Sequence, residues 1–183
     1  HQFHPQMLKA VRSNGSPDVS CKGCHGTHNV LSTKQTTSRF HESKLTESCG
    51  SCHKDVKDKF IHSSHWSALQ NDVKGAPTCL TCHKSAITSS SNNGDTLKIK
   101  IAQEKLCLSC HFDDPDIRSR TSPSAGFIQA YELSVHGSSL LGGNAKSAGC
   151  IDCHQSHDVF HGNDLRSSVH RMNIPATCGS CHS

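Results

Sequence analysis

All twelve cysteines of this 183-residue chain fall into six copies of one motif. The copies are CKGCH at 21–25, CGSCH at 49–53, CLTCH at 79–83, CLSCH at 107–111, CIDCH at 150–154 and CGSCH at 178–182. No other feature constrains the fold as strongly, because six reactive groups spread along the chain dictate what its interior must contain. Disulfides within a C-x-x-C pair close short, strained loops and are rarely repeated. Zinc ribbons use two C-x-x-C pairs per metal and have no need of a histidine after each. Thioredoxin-like redox pairs occur singly on a βαβ unit. Six C-x-x-C-H copies are instead the attachment signature of c-type haem, whose vinyl groups take the two thiols as thioethers. The adjacent histidine then coordinates iron as proximal ligand. The pattern therefore predicts six covalently attached haem c groups on Cys21/Cys24, Cys49/Cys52, Cys79/Cys82, Cys107/Cys110, Cys150/Cys153 and Cys178/Cys181. The expected proximal ligands are His25, His53, His83, His111, His154 and His182.

The cofactors answer a problem of composition. Leu, Ile, Val and Phe make up 34 of 183 residues, a share that commonly leaves a chain disordered. Six porphyrins supply the apolar surface that these side chains do not. Their propionates add about twelve negative charges, so a chain of formal charge +4 becomes acidic by about eight units. The Lys and Arg residues thus read as propionate partners and solvated surface, not as a nucleic-acid patch. No run approaches eighteen apolar residues, so no transmembrane segment is expected. Richness in Cys and a start at His1 suggest an exported, processed protein. Nucleotide-binding glycine motifs, a nucleophile elbow and H-E-x-x-H are missing.

The motifs form three pairs, because Cys21–Cys49, Cys79–Cys107 and Cys150–Cys178 are each separated by 28 positions. This predicts one domain, 1–183, built of three two-haem repeats at about 1–58, 59–125 and 126–183. Further histidines recur in register. His28 and His157 stand three residues after His25 and His154; His41 and His170 stand 20 after Cys21 and Cys150. His65 and His136 stand 14 before Cys79 and Cys150, and His4 stands 17 before Cys21. These seven are the expected distal iron ligands, with His62, His161 and His1 in reserve. The middle pair breaks the pattern, with Ala86 and Ile99 at the positions equivalent to His28 and His41. Its haems must draw ligands from elsewhere in the chain or from another subunit.

The fold class expected is mainly irregular coil with short α-helices packed around the haems and little or no β-sheet. The stretches DKFIHSSHWSALQ and FIQAYELSVHGSSLL read as amphipathic helices carrying His65 and His136. Each motif should sit on a short helical turn, with Thr46, Ser48 and Thr177 as caps. Residues 89–95 and 113–126 read as turn-rich loops.

SVHGSSL, CIDCHQSHDV and SSVHRMNIPATCGSCH resemble the doubled-C-x-x-C-H multihaem cytochromes c of anaerobic respirers. Those relatives include periplasmic carriers and subunits of extracellular cytochrome filaments. The resemblance implies mostly bis-histidine, low-spin haems in a chain of alternating stacked and T-shaped neighbours. Some thirty residues per haem leave too little protein to insulate one cofactor from the next, and two imidazoles per iron block substrate binding. The expected function is therefore electron transfer without bond-making chemistry, so the chain is not expected to be an enzyme. The setting expected is a homopolymeric extracellular or cell-surface filament; the alternative is a monomeric periplasmic shuttle. A reductase of nitrite, hydroxylamine or sulfur oxyanions would need one haem with an open axial position. Partners are then redox proteins or extracellular electron acceptors.

Overall fold

The structure, a computed structural model, describes residues 21–85, 87–88, 92–121 and 126–182. Among them every regular element is helical. The order is α1 (Cys21–His25), a 3-10 turn (Glu42–Lys44), α2 (Leu45–Gly50), α3 (Lys54–Phe60), α4 (Ser64–Gln70) and α5 (Cys79–His83). Then follow α6 (Thr96–His111), α7 (Pro115–Thr121), α8 (Gly126–Leu133), α9 (Val135–Leu141), α10 (Cys150–His154) and α11 (Ile174–Gly179). The expected class, short helices joined by coil without sheet, holds among these residues. No described helix is long and apolar enough to cross a membrane.

The described residues make almost no hydrophobic core of their own. Among the described residues the buried hydrophobic side chains are Leu45, 3% exposed, and Leu140, 0% exposed.

Two sequence-based expectations about helices are corrected, both by serine. The run expected to be one helix around His65 is split into α3 and α4 because Ser63 turns extended. Its hydroxyl accepts from the Trp66 N–H at 3.1 Å and donates to the Phe60 carbonyl at 2.7 Å. Ser134 does the same between α8 and α9, accepting from Gly137 N–H at 3.2 Å and donating to Tyr131 O at 2.6 Å. A serine oxygen that satisfies an orphan N–H starts a new helix and ends the old one. Each cap is two residues before a histidine, so His65 and His136 both lie in the first turn of a capped helix.

The caps expected at Thr46, Ser48 and Thr177 are not caps. Thr46 and Ser48 lie inside α2 after Lys44, and Thr177 lies inside α11 after Asn173. Thr177 instead donates to the Ser168 carbonyl at 2.7 Å, and Ser48 donates to the Arg39 carbonyl at 2.6 Å. Side chains at these positions tie the second motif of a pair to the loop before it. Part of the expected loop at 113–126 is also helical, because Asp114 accepts from Asp116 and Ile117 N–H and opens α7. Ile99 lies in α6, whose sixteen residues are capped by Asp95 and run without a break through the fourth motif.

The first and third pairs repeat in detail. Ser38 and Ser167 are both buried, 3% and 2% exposed, and donate to Leu31 O and Phe160 O at 3.5 and 3.4 Å. Gly26 and Gln155 follow their motif helices with positive φ, 75° and 65°. With ψ at −179°, Gln155 occupies a region that side chains other than glycine's rarely tolerate.

Candidate functional site

In each pair the first motif is a helix of its own and the second lies at the end of a helix. The motif helices α1, α5 and α10 begin at Cys21, Cys79 and Cys150, whereas Cys49, Cys107 and Cys178 sit near the ends of α2, α6 and α11. Thr78 caps α5 at the Thr81 N–H, 3.4 Å away, and Asp152 in α10 accepts from the Gly149 N–H at 2.7 Å. Lys100 of α6 holds α10 through an ion pair with Asp152 at 2.9 Å and donates to the Ser147 carbonyl at 2.7 Å. The fourth and fifth motifs are thereby clamped side by side.

The second and sixth motifs sit on a helical turn at a helix end, with Cys52 and Cys181 just past the last helical residue. α2 stops at Gly50 and α11 at Gly179, so the second cysteine of each motif lies in the turn beyond. The Cys52 N–H donates to the Cys49 carbonyl at 3.2 Å and the Cys181 N–H to the Cys178 carbonyl at 3.1 Å. These shorter-range bonds tighten the helix end, as 3-10 turns do at helix C-termini. The tightening leaves both Cys52 and Cys181 exposed, each beside the hydroxyl of the serine before it, Ser51 at 4.0 Å and Ser180 at 3.8 Å. A thioether at Cys52 would therefore stand at the protein surface, unlike one at half-buried Cys49 in the same motif.

The thiols of successive motifs are neighbours in sequence order. Cys24 acts electrostatically on Cys49, and Cys49 shares a hydrogen bond with Cys79. Cys82 is close to Cys110 and to Cys107, and Cys107 shares a hydrogen bond with Cys150. Cys153 feels Cys178 and Cys181. The hydrogen bond to Cys79, then burial, pushes the Cys49 thiol up; the hydrogen bond to Cys150, then burial, does the same to Cys107. The two thiol pairs that touch lie at the boundaries between pairs, second motif against third and fourth against fifth.

Three of the expected proximal histidines face an expected distal one. The rings of His65 and His111 have centroids 6.1 Å apart, those of His83 and His157 6.0 Å and those of His136 and His182 5.8 Å. Two imidazoles bound to one metal at about 2 Å per bond place their centroids about 6 Å apart. That spacing lies within the range of ordinary aromatic contact and also matches two rings that share one iron. Burial, then His111, lowers His65 to about 4. Burial likewise lowers His111, His154 and His157. These imidazoles are neutral at neutral pH, the form that ligates metal. The Nδ1 of His111 lies 3.1 Å from Thr121 Oγ1 and that of His157 3.1 Å from Ser156 Oγ. Such partners fix a ring and leave Nε2 for metal.

The other predicted residues are placed less completely. His25 packs against the Phe40 ring, centroids 5.0 Å apart, where the loop 31–40 folds back over Cys24. His53 is exposed and stands immediately before α3. Among the described residues no ring faces His154. His41 and His170 occupy equivalent turns, their Nδ1 atoms 3.4 and 3.3 Å from the N–H two residues on. His28 is exposed. The reserve His62 holds the Asp58 carbonyl through Nδ1 at 2.6 Å, and the backbone N–H of reserve His161 donates to Ser64 Oγ at 3.0 Å. His1, His4, Ala86 and the Cys21 side chain lie outside the described residues. Sequence reasoning missed Ser63 and Ser134, whose hydroxyls start the helices carrying His65 and His136, and Thr121, whose hydroxyl meets the His111 ring. The only signal for the first two was a serine two positions before each histidine.

Short helices with little side-chain core among the described residues, six C-x-x-C-H motifs and neighbouring imidazole pairs are the features of a multihaem c-type cytochrome. The family model for cytochrome c3 matches residues 74–183, well over half of the chain, and the chain belongs to that family. Its members bind haem c covalently, carry electrons and are typically exported. The match leaves out residues 1–73, which hold the first two motifs. No curated protein and no solved structure is significantly similar to the chain.

Proposed function

We propose that the chain carries six haems and passes electrons along them in motif order, as a repeating subunit of an extracellular end-to-end cytochrome filament. The observation that carries the reading is the unbroken run of neighbouring thiols from Cys24 to Cys181. Haem held there supplies reversible one-electron chemistry at iron. The protein's part is to hold the groups edge to edge, saturate their axial positions and exclude substrate.

In this reading His65, His157 and His136 are the distal ligands opposite His111, His83 and His182, and the repeat extends the scheme. His65 and His136 each serve the second motif of the pair they precede, so His4 serves His53. His157 serves the first motif of the preceding pair, so its equivalent, His28, serves the first motif of the last pair, His154, in the preceding copy. His41 and His170 remain for His25. The boundary between pairs supports the same polymer. The helix ending in the second motif packs on the helix of the third through Cys49 and Cys79, and the fourth on the fifth through Cys107 and Cys150. Cys178, exposed on α11, is the matching half for the first motif of another copy. Electron microscopy of purified holo-protein tests this. Filaments are expected; particles that stay monomeric at every concentration favour a periplasmic shuttle.

A further inference from the structure

The boundary after the fourth motif holds a helix that the boundary after the second does not. His111 and Cys150 are 39 positions apart, whereas His53 and Cys79 are 26 apart. Counted back from the matching serine caps, Ser63 and Ser134, α3 corresponds to α8, so α7 (Pro115–Thr121) is the extra piece. Asp114 caps its start. The Arg118 guanidinium donates to the Phe112 carbonyl at 3.0 Å and lies over that ring, 5.9 Å from its centroid. On the other side Lys74 pairs with Asp116 at 3.1 Å, and Arg120 donates to the Lys74 carbonyl at 2.8 Å. Ile117 Cδ1 lies 2.9 Å from where a Cβ on Gly75 would stand. An exposed ion pair alone adds little, but together these contacts hold α7 between the end of α6 and the loop before the third motif.

What α7 delivers there is Thr121. Its Oγ1 lies 3.1 Å from His111 Nδ1 and donates to the Ile117 carbonyl at 2.9 Å. A hydroxyl has a single proton. With that proton on the Ile117 carbonyl, the oxygen offers only lone pairs to the imidazole, so Nδ1 carries the ring proton and donates. Nε2 is then the unprotonated nitrogen, the one able to ligate iron.

We infer that Thr121 is a positioning residue that tunes the fourth haem; the inference rests on that haem being bound with His111 as its ligand. An imidazole whose N–H donates to an oxygen is the more basic at its other nitrogen. A more basic ligand stabilises Fe(III) over Fe(II), so Thr121 lowers the potential of this haem. The extra helix thereby adjusts one site of the chain without any change in its C-x-x-C-H.

The test compares holo wild type with Thr121→Val, which keeps the side-chain shape without the hydroxyl, and Thr121→Ser, which restores it. In spectroelectrochemical titration one transition should move to higher potential in Thr121→Val and return toward wild type in Thr121→Ser. In fully reduced, diamagnetic wild type, proton–nitrogen NMR should show a His111 ring N–H that exchanges slowly with water and lies beside the Thr121 methyl group. That readout stands even if Thr121→Val fails to mature; where it does mature, the same proton should exchange faster. Transitions that superimpose in wild type and Thr121→Val, or a reduced wild type whose His111 Nδ1 bears no protected proton, overturn the proposal. Absence of haem on Cys107 and Cys110, seen by peptide mass, overturns instead the reading on which it rests.

Discussion

Replacing His65 by alanine removes one of the two imidazoles that flank the fourth site and little else. Alanine is the best helix former, and the Ser63 cap that starts α4 is untouched. The consequence follows from the 6.1 Å between the His65 and His111 centroids. An iron bonded to His111 lies about halfway, so about 3 Å opens on its far side where the second ring stood, enough for water or carbon monoxide. One haem in six should therefore turn from low-spin to high-spin, and the reduced variant should bind one more carbon monoxide per chain than wild type. Magnetic circular dichroism and gas titration read the two quantities independently. His62→Ala is the control, since His62 is exposed, bonded to Asp58 of α3 and opposite no other ring among the described residues. A His65→Ala protein with unchanged spin state and gas uptake would refute the pairing, and with it the inference that rings about 6 Å apart mark iron sites.

Leu140 is fully buried in a protein with almost no other apolar core, so Leu140→Ala should cost about 2–5 kcal/mol, measured by chemical denaturation of the holo-protein. A cost below about 1 kcal/mol would show that the haems alone set its stability. Gly137→Ala should loosen the His182 site, because a Cβ there overlaps the Tyr131 carbonyl oxygen and comes within 2.9 Å of Glu132 Cα. Overpacking of backbone costs about 1–3 kcal/mol, and the expected signs are a lower melting temperature and a high-spin fraction near one haem in six. Gln155→Gly should stabilise by about 1 kcal/mol, since Gln155 adopts the positive φ that Gly26 adopts in the first pair. An unchanged or lower midpoint would show that the strain is absorbed elsewhere.

The motifs, the pairing of motifs and the scarcity of sheet were legible because they rest on local chemistry: a C-x-x-C-H reads the same wherever it stands. The partners of the histidines were not, because pairing is decided in space. His157 meets His83 across 74 positions, and no periodicity connects them. The helices around His65 and His136 were recognised but run together, since an apolar period of 3.6 continues through a serine that the backbone uses as a cap. The expected threonine caps failed for the converse reason: Thr177 is better served by the Ser168 carbonyl than by its own helix. The exposure of Cys52 was equally hidden, because CGSCH does not say where in the motif its helix stops. Thr121 carried no sequence signal, because the turn formers around it read as loop and not as a helix that reaches back to His111.

Haem per chain is the quantity on which the rest depends. Intact-mass measurement of the purified holo-protein should give the polypeptide plus six haems, with an iron-to-chain ratio of six. A mass with fewer haems, or one equal to the bare polypeptide, would break the continuous path between Cys24 and Cys181 and contradict electron flow along it.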